Sequence, residues 1–237
     1  MLSFSNVCVY DIVESIVAAG FSMGTDYNEF EERRIALNKY YNNLGATKKE
    51  KEIATNELKR ASRLVQASMK NQHVKCFDNF LTGIRVSFDM KYTQYITKQF
   101  QRYNWFDYVS SSSLMHRITQ MNFDKCCNEY VTDETKALMK KYIGAYNQIL
   151  EEAEPMSNDG IEERKQRLYK AFMTVLSNCP MGTELFVRVS TNYKQLQTIY
   201  FQRRNHILQE DYGNFVSFVE SLPLSNVLIT GEKSLCN

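Results

Sequence analysis

Glycine and proline are scarce, at 9 and 3 of 237 residues, and tight turns are built largely from them. That shortage excludes an all-β sandwich of many short hairpins and predicts long regular elements, mostly helical. Histidine is scarcer still: His73, His116 and His206 are the only three, so a His-rich metal centre would have to recruit nearly all of them from distant segments, and no metal site is expected. The chain contains no run of about 18 consecutive apolar residues, so no membrane-spanning helix or membrane partner is expected. The six cysteines, Cys8, Cys76, Cys126, Cys127, Cys179 and Cys236, form neither a C-x-x-C pair nor a small secreted framework. The start lacks a basic region followed by a long apolar run, so the expectation is a reduced, cytoplasmic chain. The adjacent Cys126 and Cys127 read as a buried pair of small hydrophobes. A net charge of +2 is too mild to hold a nucleic acid or a membrane surface, so any anion site must be local and no direct nucleic-acid binding is expected. G-x-G-x-x-G, G-x-x-x-x-G-K-[ST], H-E-x-x-H and G-x-S-x-G are all missing, and with them the usual nucleotide loops, zinc-protease sites and hydrolase elbows.

What is present is an ordinary soluble composition, 43% hydrophobic and 24% charged, with enough chain to bury a sizeable core. Val7 to Val13 is β-branched and aromatic, as a strand would be, and Glu14 to Ala19 reads as a short helix. Tyr27 to Asn43 has helical spacing and stops before Gly45. Thr47 and Glu50 then form a capping box opening a second helix to about Met69, with Leu58, Ala61, Leu64, Val65 and Met69 on one face. Residues 27–70 therefore read as a helical hairpin inserted in the chain. Ile84, Val86 and Phe88 alternate with Arg85, Ser87 and Asp89, the pattern of a half-buried strand, and a helix is expected over Lys91 to Tyr103. Ser110 to Ser113 read as a site loop. Helices are expected at Glu134 to Glu152 and Ile161 to Leu176, a strand at Leu185 to Ser190, and helices at Tyr193 to Arg204, capped by Thr191 or Asn192, and at Tyr212 to Leu222. No repeat and no composition break divides the chain. The expected fold is a single α+β domain over residues 1–237, with a mixed or antiparallel sheet and several long helices.

Two segments set cations, amides and hydroxyls beside aromatics, as a phosphorylated, ring-bearing ligand would require. The first runs from Gln101 through Arg102, Tyr103, Asn104, Trp105 and Ser112 to Arg117. The second joins Asn192, Tyr193 and Lys194 to Arg203 and His206. Arg binds phosphate in a fork, helix starts gather amide donors, and the rings of Tyr103, Trp105 and Tyr108 offer faces to a flavin or a base.

At these residues the chain resembles the flavin-dependent thymidylate synthases, also called thymidylate synthase complementing proteins. That family carries Arg-His-Arg, seven further residues and a Ser. Here Arg102 and Ser112 keep the first and last positions, while Tyr103 and Asn104 replace the His and second Arg. The family's phosphate-holding Arg, two residues after the Ser, is Leu114 here, with Arg117 three residues further on as its substitute. Upstream, the Gly-His and Phe-Glu-His steps correspond to Gln72-His73 and Phe77-Asp78-Asn79. Downstream, Cys179-Pro180, the strand over 184–190, Asn192-Tyr193-Lys194 and Gln202-Arg203 follow in the family's order, so the likeness spans about residues 55 to 220.

The resemblance implies an α/β core and a homotetramer with active sites at subunit interfaces. It implies an enzyme of the methyltransferase class that reduces FAD with NADPH, takes a methylene group from methylenetetrahydrofolate and converts dUMP to dTMP. His73, Arg102, Tyr103, Asn104, Asn192 and Lys194 would then hold the flavin. Ser112, Arg117 and Arg203 would bind the pyrimidine nucleotide, with Ser112 and Arg203 closest to the chemistry. The lost His and Arg leave a second expectation open, a family-derived protein that binds nucleotide or flavin without methylating it.

Overall fold

The computed structural model describes residues 1–24, 26–70 and 77–231. His73 lies outside the described residues, as do Gln72, Cys76 and Cys236. The chain divides into two compact units: one of residues 2–90, 103–109 and 188–237, the other of residues 1, 91–102 and 110–187. Its strands are β1 (Ser3–Tyr10), β2 (Arg85–Thr93), β3 (Asp107–Ser111) and β4 (Glu184–Asn192), in the sheet order β1-β2-β4-β3. β2, β3 and β4 each contribute residues to both units.

The pairings make the sheet antiparallel throughout. The Gln94 amide reaches the Thr183 carbonyl and the Tyr193 amide reaches the Ile84 carbonyl, so each of β2 and β4 ends where the other begins. Ser112 pairs with Phe186 and the Thr191 hydroxyl donates to the Trp105 carbonyl, which sets β3 against β4 in the same sense. Asp11 and Arg85 form an ion pair at the junction of β1 and β2.

In the larger unit, β2 buries Val86, Phe88 and Met90 at alternate positions, as a two-residue period requires. The Phe88 ring meets Phe4 at 5.6 Å and Phe218 at 4.8 Å, and Phe4 stacks on Phe218 at 4.2 Å. Such ring pairs add about 1 kcal/mol each beyond the area they bury. α1 (Ile12–Ala18), α2 (Tyr27–Tyr41) and α3 (Lys48–Lys70) follow β1. The capping box at the start of α3 is formed as the sequence predicts: the Thr47 amide donates to Glu50 Oε2 at 2.7 Å and the Glu50 amide donates to Thr47 Oγ1 at 3.2 Å. α3 then buries Ala54, Leu58, Ala61 and Val65. β4 leads into α8 (Tyr193–Arg203), and α9 (Gln209–Ser221) and α10 (Ser225–Leu228) close the described chain.

The smaller unit holds α4 (Gln94–Phe100), α5 (Leu114–Arg117), α6 (Asp133–Glu151) and α7 (Asn158–Ser177). Ile118, Phe123, Met139 and Val175 form its core, with Cys126 and Cys127 packed against them. Burial, reinforced by Cys127, pushes the Cys126 thiol up to about 12. It is therefore protonated at neutral pH; the pair is half-buried against this core, not enclosed in it as the sequence predicts.

Two local expectations need correction. Lys91, Tyr92 and Thr93 belong to β2, because pairing with β4 carries the strand past the point where the helical period begins; α4 starts at Gln94 and stops at Phe100. The serines at 110 to 113 are not a free loop. Ser110 and Ser111 lie in β3, and Ser113 accepts from the His116 amide as the cap of α5. Among the described residues no helix is long and apolar enough to cross a membrane.

Candidate functional site

α8 shows two faces. Tyr193, Leu196, Ile199 and Tyr200 are buried, while Lys194, Gln197, Thr198, Phe201 and Gln202 recur at the helical period along a different stripe and line a cleft of about 420 Å³. Ser68 and Met69 of α3 and Asp78 complete its wall. Asn192 caps the helix by accepting from the Gln195 amide at 2.8 Å, which fixes the first turn and with it Lys194. The Lys194 ammonium is bonded to Asp78 Oδ2. Asp78 is 1% exposed and its other oxygen, Oδ1, finds no partner among the described residues. A buried carboxylate oxygen left without a donor is costly, and this one is enclosed beneath the cleft and not exposed in it.

At the end of α8 the Arg203 guanidinium lies over the Tyr212 ring at 5.1 Å and the Tyr103 ring at 5.7 Å. Its Nε donates to the Tyr103 hydroxyl at 2.9 Å, and that hydroxyl donates to Gln202 Oε1 at 2.9 Å. A short relay therefore runs from Arg203 through Tyr103 to a residue of the cleft. Burial, and then the charge of Arg203, push the His206 imidazole below its ordinary range, and its ring meets Tyr212 edge-on at 4.5 Å. Trp105 is 71% exposed at φ 62°, with its carbonyl held by Thr191 Oγ1 at 2.7 Å.

The smaller unit carries a separate cavity of about 340 Å³, lined by Ser112, Ser113, Arg117, Asn122, Lys125 and Glu184 among others. Glu184 is held by Lys91 at 2.9 Å and by the Met1 amine at 3.1 Å. Arg117 and Lys125 form no ion pair among the described residues. Two uncommitted cations beside hydroxyls and an amide are suited to an anion such as a phosphate.

The predicted residues thus fall into separate groups. Ser112 and Arg117 share the second cavity, although the Ser112 hydroxyl already accepts from the Phe186 amide at 3.2 Å. Lys194 lines the α8 cleft; Tyr103 and Arg203 pair with each other beside it. The Asn192 side chain is a helix cap and is buried. Arg102 and Asn104 are exposed in the turn after α4, and neither Arg102 nor Arg203 lines either cavity. Sequence reasoning gave no role to Asp78, Gln197, Gln202, Asn122 or Lys125. The signal for Gln197 and Gln202 was available: a polar stripe at helical spacing from Lys194 to Gln202, next to an apolar one, is what a helix lining a cleft looks like.

No protein-family model matches the chain, and no curated protein matches it. Among solved structures, it is similar to the flavin-dependent thymidylate synthase of Helicobacter pylori complexed with FAD and dUMP, at 12% identity and a TM-score of 0.43, over 73% of this chain and 93% of that one. A second structure of the Helicobacter pylori enzyme with FAD and dUMP gives 12% identity and a TM-score of 0.44, over 76% and 95%. Overlap at that level is too slight to carry a fold or a function to this chain.

Proposed function

We propose that this protein binds a pyrimidine nucleotide by its phosphate and a flavin by its ring, and that its reaction is the one its sequence resemblance implies. In that reaction dUMP is reductively methylated at C5, with methylenetetrahydrofolate and NADPH as co-substrates and FAD as the electron carrier. The observation that carries the nucleotide half is the cavity where Ser112 and Arg117, matched to the family from sequence, meet a second free cation, Lys125. The α8 cleft fits a flavin ring in composition. Met69 and Phe201 can cover its faces, and Lys194 and Gln202 can meet its polar edge.

A second reading, binding without methylation, is favoured by one observation. Arg203, which would attend the substrate, is held between two tyrosine rings and bonded to Tyr103, the residue standing where the family has its His. Removing a preorganised charge partner from a reacting centre costs roughly a hundredfold or more in rate.

Titration with dUMP and with deoxyuridine tests the nucleotide half. The phosphate should tighten binding strongly, and Arg117→Ala with Lys125→Ala should erase about tenfold for each cation. Equal affinity of dUMP in the wild type and the double variant would remove the cavity from the nucleotide site. For the flavin half, FAD-loaded protein given NADPH, methylenetetrahydrofolate and dUMP separates the two readings: dTMP formation supports the synthase, and FAD retention with no product supports binding alone.

A further inference from the structure

We infer that Phe186 is the platform on which the ring of a nucleoside monophosphate stacks while Arg117 and Lys125 hold its phosphate, so that the smaller unit's cavity takes the base as well as the phosphate. This rests on the nucleotide half of the proposed function and adds where the ring lies.

The strand places the side chain. In β4, Leu185, Val187 and Val189 are buried at alternate positions, so Phe186 between them projects from the opposite face of the strand, where it is 61% exposed. Ser112 fixes its backbone there: the Ser112 amide donates to the Phe186 carbonyl at 2.8 Å, and the Phe186 amide donates to the Ser112 hydroxyl at 3.2 Å. Among the described residues no other ring packs on Phe186 and no cation lies over it. A single exposed phenylalanine is ordinary on a protein surface. This one differs in its surroundings, because it lines the same cavity as Arg117 and Lys125, which have no acidic partner among the described residues. At about 340 Å³ the cavity lies near the lower end of the range for small-molecule pockets, roughly 300 to 1,000 Å³, so its cations and its ring fall within the span of one mononucleotide. Two cations suit a phosphate dianion, and an open aromatic face suits the ring attached to it. Stacking reads the face of a base and not its edge, so Phe186 adds affinity without choosing among bases. A ring stacked this way is covered on one side only, and its other side stays open to the group that reacts at C5.

The probes are dUMP and 2-deoxyribose 5-phosphate, which keeps the sugar and the phosphate and lacks the ring, titrated calorimetrically into the full chain. The wild type should bind dUMP about tenfold or more tightly than the sugar phosphate. Phe186→Ala should bring the two to within about twofold of each other by weakening dUMP alone, whereas Phe186→Tyr, which keeps an aromatic face, should bind dUMP within about twofold of the wild type. Equal binding of dUMP and the sugar phosphate to the wild type would overturn the inference while leaving the phosphate site at Arg117 and Lys125 intact. So would undiminished dUMP binding by Phe186→Ala, or a loss in Phe186→Tyr as large as that in Phe186→Ala. Failure of the wild type to bind either probe would overturn the nucleotide reading and the inference together. The two probes are compared first on the unaltered protein, so the outcome does not depend on the folding of a variant.

Discussion

The two cavities differ in what their cations are already doing. In the α8 cleft Lys194 neutralises a carboxylate that is almost wholly buried, whereas in the smaller unit's cavity Arg117 and Lys125 have no acidic partner among the described residues. A committed cation is part of the fold and presents a fixed, nearly neutral edge. An uncommitted one costs the fold little and attracts anions. The same residue type thus reads as architecture in one place and as a ligand contact in the other, and only the partner decides which.

That contrast is broken most directly at Lys194. Lys194→Met should strand the Asp78 charge in the wall and cost about 3 kcal/mol, the scale for removing one partner of a buried pair. For a chain of this size that is a fall in Tm on the order of 10 °C. Arg117→Ala should move Tm by no more than a degree or two, and thermal denaturation of both variants compares them directly. If the two lose equal stability, the distinction between committed and free cations is wrong. Salt sharpens the comparison at the next level. Raising ionic strength from about 0.05 to 0.5 M should weaken dUMP binding several-fold by screening Arg117 and Lys125, and should leave lumiflavin binding almost unchanged. A smaller effect is expected at the relay: Tyr103→Phe removes the bridge between Arg203 and Gln202 and should cost about 1 kcal/mol in chemical denaturation, with Arg203 still held over Tyr212.

The smallest effect concerns pH and a region away from both cavities. Hydrogen bonds from Lys39 and from the Thr47 amide hold the Glu50 carboxyl at about 2, well below its ordinary value of 4.5. A depressed folded-state pKa stabilises the fold above the unfolded value and is lost as pH falls through the folded one. Glu50→Gln should therefore be less stable than the wild type at pH 6, and the difference should close between about pH 4.5 and 2. An acid titration in which the gap stays constant would show that the capping box does not depend on the charge.

The parts of the fold set by local periodicity were legible in the sequence. The alternation at Ile84, Val86 and Phe88, the capping box at Thr47 and Glu50 and the cap at Asn192 are all as expected, because burial period and end-of-helix amides act within a few residues. What depended on distant partners was not. Lys91 to Thr93 stay in the strand because β4 pairs with them, and Ser110 and Ser111 are strand because β4 pairs with β3 on its other side. The site followed the same division. The sequence singled out Arg117 and Arg203 for the nucleotide and Lys194 for the flavin, but it does not reveal that Asp78, 116 positions away, already engages Lys194, or that tyrosines 100 and 9 residues away already hold Arg203. Arg102 is exposed in the turn after α4 and lines neither cavity.

The backbone around Trp105 has a practical consequence. It is the only tryptophan in the chain, it is largely solvated, and its peptide is tied to Thr191 in a left-handed conformation that a bulky residue seldom takes. Two residues from the hydroxyl that links Arg203 to the α8 cleft, the indole is a built-in optical reporter. Its emission can follow any rearrangement of that turn without a label being attached.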